Sequence, residues 1–243
     1  MANASQLTGD IMLAAQGIYS ESSTALHQLG QLVHSNDGRS FRYAKAGGTT
    51  LVPGKLQQSP AEDTSNFQNL TVTAPAAGAT SIVTTSTVTL TVNQLAGAFL
   101  TISTASTNAG QVFRVAGNTA ATAAVCTFYL DDPVVYAPTG TTKIDVHPNP
   151  YNAVVVNPAT ASSAPVGVAL YKVTNAYFGW LQVKGPTSIL ADGTITVGTA
   201  LDASNGTAGA VEAHAEAGVQ APVGTALTGV ATTEYGMVQL NLA

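Results

Sequence analysis

Strict alternation runs through Val88-Thr-Leu90-Thr-Val92, with apolar side chains on one face and threonines on the other. That period of two marks a half-buried strand of an antiparallel sheet. Apolar and β-branched runs of similar length recur at Leu70–Ala74, Phe99–Ser103, Gln111–Val115, Ala124–Leu130 and Lys143–Val146, and the alternating run itself extends over Thr87–Val92. Gly78, Gly97, Gly110, Gly117, Asp131–Pro133 and Gly140 fall between them, the spacing of a sandwich or barrel.

Leu29–Ala46 predicts a hairpin. Leu32 and Val33 lead into Ser35-Asn36-Asp37-Gly38, and Phe41 and Tyr43 then share one face of the returning strand. Asp-Gly between strand-forming runs points to a type I′ turn, with positive φ at both central residues. Asp192-Gly193 and Asn205-Gly206 predict two more hairpin turns, Tyr177–Val183 an aromatic strand, and Val238–Leu242 a terminal strand. Val-Gly-x-Ala-Leu occurs at Val166–Leu170, Val197–Leu201 and Val223–Leu227, spaced unequally, which argues against a solenoid and for one corner reused within a barrel. Met1–Thr24 has no sustained period, and Gly9 and Gly17 bracket the few helix-compatible residues of Asp10–Gln16 too tightly for a stable helix. Gln57–Asn66, polar and carrying Pro60, suits a linker.

These patterns predict a mainly β protein of antiparallel sandwich, barrel or β-tulip-like domains, with an extended N-terminal arm and little helix. The expected layout is an arm over residues 1–28, a hairpin segment over 29–66 packing with the C-terminal domain, an inserted β-sandwich over 67–148, and a barrel or tulip-like domain over 149–243.

Composition narrows the function. Of the 243 residues 9% are charged, against roughly 25% in ordinary soluble domains. Thr64–Phe113 has no charged residue, and beyond Lys184 every charge is acidic. A net charge of −5 with no dense Lys/Arg cluster argues against gripping a nucleic-acid backbone. No segment is apolar for long enough to span a bilayer as a helix. The N-terminus lacks the basic region of a secretory signal, so the expected site of synthesis is a cytoplasm.

Candidate chemistry is sparse. The single cysteine, Cys126, lies among apolar residues and reads as a core side chain. His27, His34, His147 and His214 are scattered, and only Asp145-Val-His147 places two metal-ligand types on one strand face, which reads as a surface pair before a turn. Asp131-Asp132-Pro133 lacks the oxygen spacing of a calcium loop. Trp180 and its aromatic neighbours suit a buried strand better than a sugar-binding platform. No motif of a nucleophile elbow, phosphate loop or zinc hydrolase occurs. No catalytic, cofactor-binding or metal-binding residue is therefore assigned, and the expectation is a non-enzyme working without a cofactor.

Leu29-Gly30, Asp37–Gly47, Asn149-Pro150-Tyr151, Phe178–Gln182 and the closing Val-Gly-x-Ala-Leu pattern resemble structural proteins of tailed bacteriophages. The C-terminal part resembles the capsid decoration (cement) proteins. The resemblance implies a virion protein on the capsid exterior, made in the host cytoplasm. Its implied partners are the major capsid protein and itself in a homotrimer, with an N-terminal arm gripping the shell and no nucleic acid or membrane partner. A loss of charge suits such a role, since large interfaces deplete Lys, Glu and Asp at their centres. The competing expectations are a head or tail fibre or receptor-binding β module, then a major capsid subunit, which would need a long helix that the sequence does not offer. An extracellular polysaccharide-binding module comes after these.

Overall fold

The computed structural model describes residues 16–104, 107–215 and 220–242, with the backbone of Leu7–Thr8. Of the turns considered over Asp10–Gln16, all but Gln16 lie outside the described residues. The chain forms two compact units: the first comprises the segments up to Pro60 and from Pro150, and the second is Ala61–Asn149. Unit 1 opens with β1 (Leu7–Thr8), β2 (Leu32–Ser35), β3 (Ser40–Lys45) and β4 (Leu56–Gln58). Unit 2 contributes α1 (Thr64–Phe67), β5 (Leu70–Val72), β6 (Ser81–Val83), β7 (Val88–Leu90), β8 (Phe99–Ile102), β9 (Val112–Asn118), β10 (Ala121–Ala124), β11 (Thr127–Leu130) and β12 (Thr142–His147). The chain returns to unit 1 as β13 (Val155–Val156), β14 (Pro165–Ala169), β15 (Phe178–Leu190), β16 (Ala200–Ala203), β17 (Val211–Ala213), β18 (Pro222–Ala226) and β19 (Tyr235–Asn241). Every ladder pairing between these strands is antiparallel, and the one helix described has four residues, so the protein is mainly β with sandwich and barrel-like sheets. No described helix is long and apolar enough to cross a membrane.

In unit 2 the strand order is β5-β12-β8-β9-β11-β6, and a Val72–Thr84 bridge brings the two outer strands together, nearly closing a barrel. Inward-facing Leu70, Val72, Leu100, Ile102, Val115, Phe128 and Ile144 fill it, joined by Val88 and Leu90 from the β7–β10 pair. The predicted alternation holds as far as Leu90, while Val92 is exposed. The predicted strand Ala124–Leu130 is divided: β10 ends at Ala124, and Cys126, buried, donates its backbone N–H to the Thr84 hydroxyl.

Unit 1 is organised by β15. Its first half pairs with β3 on one side (Trp180 opposite Tyr43) and β14 on the other, and its second half pairs with β19. A register shift between Gln182 and Lys184 separates the halves. The Gln182 side chain holds that shift by donating to the Lys184 and Pro186 carbonyls at 3.0 and 2.9 Å. The first and last segments of the chain thus share one sheet. Gln57 and Gln58, read as part of a linker, are instead β4 and fully buried.

The turn chemistry also departs from the sequence reading. At Asn36-Asp37-Gly38 only Gly38 has positive φ (84°), and Ser35 exchanges hydrogen bonds with Gly38 and Arg39 around a three-residue loop, so the turn is not type I′. At Asn205-Gly206 neither residue has positive φ; the connection from β16 to β17 spans Ser204–Ala210, and Gly209 carries the left-handed conformation (76°).

The N-terminal segment is not a free arm from Gln16 onward. Gln16 and Ile18 are buried against Phe41, Tyr43, Phe178 and Trp180. The Gln16 carbonyl accepts from Trp180 Nε1 (3.1 Å), its Oε1 accepts from the Tyr43 hydroxyl (2.8 Å), and its Nε2 donates to the Phe178 carbonyl (3.0 Å). His27 closes the cluster with its ring 5.1 Å from Tyr43 and 5.2 Å from Trp180. Its Nε2 is buried with no hydrogen-bond partner, and desolvation lowers its pKa below the ordinary 6.5. The folded state therefore binds the His27 proton less readily than the unfolded chain. The resulting stabilisation is fully present above pH 6.5 and is lost as the pH falls through the lower folded value. Trp180 is the chain's only tryptophan, so its fluorescence will be quenched by the adjacent imidazolium with a midpoint below 6.5. In His27→Phe the titration should vanish; its persistence would assign the transition to another group.

Beyond the three short motifs, unit 1 contains one structural unit twice. From Val154 onward, positions 57 apart correspond (Val166 to Val223), and Leu51–Ser59 corresponds to Ile195–Ala203. β4 pairs with β14 as β16 pairs with β18, and β4 pairs with β13 as β16 pairs with β17. Hydrogen bonds repeat position by position: Gly54 to Ala169 and Gly198 to Ala226, Asn157 to Leu56 and His214 to Ala200, Ser59 to Ala164 and Ala203 to Ala221. Ala176 and Thr233, equivalent residues, both hold positive φ (65° and 67°). All eight buried residues of one core cluster, among them Ala46, Leu51, Val166, Val173 and Leu181, have counterparts (Ala191, Ile195, Val223, Val230, Val238) in another. Of the three Val-Gly-x-Ala-Leu motifs, two are the equivalent strands β14 and β18, whereas Val197–Leu201 runs from a turn into β16. Unit 2 occupies the connection between β4 and β13, the counterpart of the short loop Ser204–Ala210.

Candidate functional site

Strand register builds one cleft on the outer surface of unit 2. Asp145, Thr101 and Val112 lie in one cross-strand row of β12, β8 and β9, and His147, Phe99 and Arg114 in the next. Glu62, Phe67 and Gln68, around α1, add to the wall of a cleft of about 230 Å³. Phe99 and Val112 present exposed apolar surface to it. Asp145 Oδ1 accepts the Asn69 backbone N–H at 2.7 Å, and His147 Nδ1 lies 2.7 Å from the Pro148 carbonyl. A carbonyl only accepts, so Nδ1 carries the proton and a neutral ring leaves Nε2 as an acceptor. Arg114 is held away by an ion pair with Asp131 (2.7 Å). The cleft thus combines an aromatic ring with hydrogen-bonding groups oriented by the backbone.

Asp145 and His147 share a strand face, as the sequence indicated. Among the described residues no three His, Cys, Asp or Glu side chains form a metal-ligand group. Asp131 is the ion-pair partner of Arg114 in the turn after β11.

Unit 1 holds a second titratable pair. Asp202 on β16, buried, lies 2.7 Å through Oδ2 from Nδ1 of the half-exposed His214. The equivalent positions of the first repeat are Gln58 and Asn157, neutral amides. The Ser204 hydroxyl donates to Asp192 and not to His214, so Ser204, His214 and Asp202 form no nucleophilic relay. His34 Nδ1 pairs with the Ser40 hydroxyl (2.9 Å). Asp37, exposed at the hairpin tip, has its pKa lowered to about 2 by the side-chain hydrogen bond from Arg39.

The chain matches no family model, no curated protein and no solved structure. Trp180, considered as a sugar platform, is 2% exposed and belongs to the aromatic core. Phe99, one of several exposed aromatics among the described residues, lines the cleft of unit 2, and the sequence marks it only as part of a strand. Its signal was the pairing of Phe99-x-Thr101 with Asp145-x-His147, visible only once β8 and β12 are known to be neighbours.

Proposed function

We propose that the protein is a structural component of a tailed-bacteriophage virion that binds the capsid exterior and stabilises it as a decoration protein. In this reading it acts as a homotrimer, through contacts with the major capsid protein and without catalysis. The observation that carries the reading is the neutral character of the exposed strand surfaces. The charge-free run Thr64–Phe113 folds into α1, β5 to β8 and the start of β9, exposing threonine, serine and alanine together with Val92, Phe99 and Val112. On β19 and β18 the outward residues include Tyr235, Met237, Gln239 and Thr225. Such surfaces lose little side-chain entropy and little charge solvation when another protein covers them.

A fibre or receptor-binding module is the second reading, and the Phe99 cleft is what favours it. Electron microscopy and adsorption assays of particles lacking the protein separate the two. Complete heads that break under heat or osmotic stress are the expected result. Normal heads with lost adsorption point to the fibre, and absence of heads to a shell subunit.

A further inference from the structure

The duplication in unit 1 allows one face to be compared in two settings. In the first repeat, Phe178, Trp180 and Gln182 of β15 and Phe41 and Tyr43 of β3 point to one side and are at most 9% exposed. Gln16–Leu29 and Val33 cover them, through the Gln16 hydrogen bonds and the packing of Ile18 and Leu29. In the second repeat the equivalent residues are Tyr235, Met237 and Gln239 of β19, flanked by Pro186 and Ser188 of β15. The Gly54 turn lies against the Tyr235 ring, and the rest of this face is exposed. Tyr235 is 52% exposed, Met237 42% and Leu227, beside them, 43%. The face continues from the covered one along β15, past the register shift at Gln182–Lys184.

We propose that this outward face of the second repeat, from Pro186 and Ser188 across Met237 and Gln239 to Thr225 and Leu227, is where a second copy of this chain docks. Its lack of charge and its continuity with the face that the chain's own segment covers fit that occupant. The rows Ser188–Met237 and Pro186–Gln239–Thr225 contain no charged residue, and Lys184 opposite Asn241 is the cation at their margin. A neutral face meets an identical chain without like-charge repulsion and offers nothing to a polyanion. Apolar side chains clustered on a flat strand surface mark a protein contact. The covered counterpart shows that this sheet accommodates polypeptide on that side. The inference rests on the self-assembly in the reading above and names the surface that carries it, whereas capsid binding is independent of it.

Sedimentation velocity and light scattering on the full chain across the micromolar range test it. The expected result is a self-associated species whose dissociation constant rises at least about tenfold in Met237→Lys and Leu227→Lys. Val92→Lys, on unit 2, should leave association unchanged, and on protein dilute enough to be dissociated all three variants should keep the wild-type unfolding curve. A photo-crosslinker at Gln239 should yield adducts between copies of the chain. A monomer at every concentration, or an oligomer that both unit 1 variants leave intact, overturns the proposal. Capsid binding is a separate measurement: its failure with self-association intact removes the decoration reading and leaves this surface standing.

Discussion

Trp180→Ala is expected to lower the unfolding free energy of unit 1 by about 3–5 kcal/mol, the cost of truncating a fully buried aromatic. The indole sits 5.0 Å from the Tyr43 ring and 5.2 Å from His27, and its Nε1 donates to the Gln16 carbonyl. Truncation opens a cavity between β3 and the N-terminal segment and strips that carbonyl of its donor. Met237→Ala removes the equivalent side chain of the second repeat, where it is exposed. Measured on dilute protein, that variant should stay within about 0.5–1 kcal/mol of wild type. Urea unfolding followed by circular dichroism reads both. Equal losses in the two variants would mean that the repeats are not distinguished by what covers them.

Two N-terminal truncations should behave in opposite ways. Removal of residues 1–15 spares the Gln16 hydrogen bonds to Tyr43, Phe178 and Trp180 and loses the two-residue β1–β2 ladder, and the melting curve should stay near wild type. Removal of residues 1–29 takes away Gln16, Ile18, His27 and Leu29 together, baring Trp180, Tyr43 and Phe178. Re-exposing each large apolar side chain costs about 1.5–3 kcal/mol, so the total approaches the whole stability of a typical domain, roughly 5–15 kcal/mol. The longer truncation should aggregate or unfold with no native tryptophan signal. If it melts like wild type, the segment is dispensable and its packing adds nothing. The shell-gripping arm of residues 1–28 that the phage resemblance implies is therefore testable only through the shorter deletion, which on the proposed decoration function should keep the fold while losing capsid binding.

Local pattern was legible where a strand has one wet face and one dry face. Val88-x-Leu90 lies on the dry face that alternation predicts, and Phe41-x-Tyr43 share a face although Ser40 and Ala44 on the other face of β3 are buried too. It failed where both faces are buried, because Gln57 and Gln58 look like linker residues until β14 and β13 flank them. Turn geometry was misjudged at Asp37-Gly38 since a dipeptide does not reveal the loop length, which the pairing of Ser40 with His34 fixes. The duplication was visible only as scattered Val-Gly-x-Ala-Leu motifs. Its conserved part is a set of backbone bonds and close approaches: a Cβ on Gly224 would lie 2.1 Å from the Gln239 carbonyl oxygen, and one on Gly167 2.9 Å from the Gln182 carbonyl oxygen. Large aromatics in one repeat face Met, Ser and Pro in the other, which hides the kinship. The Phe99 cleft is hidden in the sequence for a related reason, since it needs β12 beside β8, which lies more than forty residues earlier.

The placement of unit 2 between β4 and β13 fixes an order of events during synthesis. Lys45 of β3 pairs with Phe178 of β15, 133 positions downstream, an interval of roughly 7–27 s at translation rates of about 5–20 residues per second. Through that time Phe41 and Tyr43 lack the strand that will pair with theirs, whereas the sequence of unit 2 is complete at Asn149, before Phe178 is added. The inner unit can be complete before the outer one begins to close. The nascent chain's exposure to misassembly is therefore concentrated in its first sixty residues, where a chaperone near the ribosome exit would find the aromatic hairpin bare.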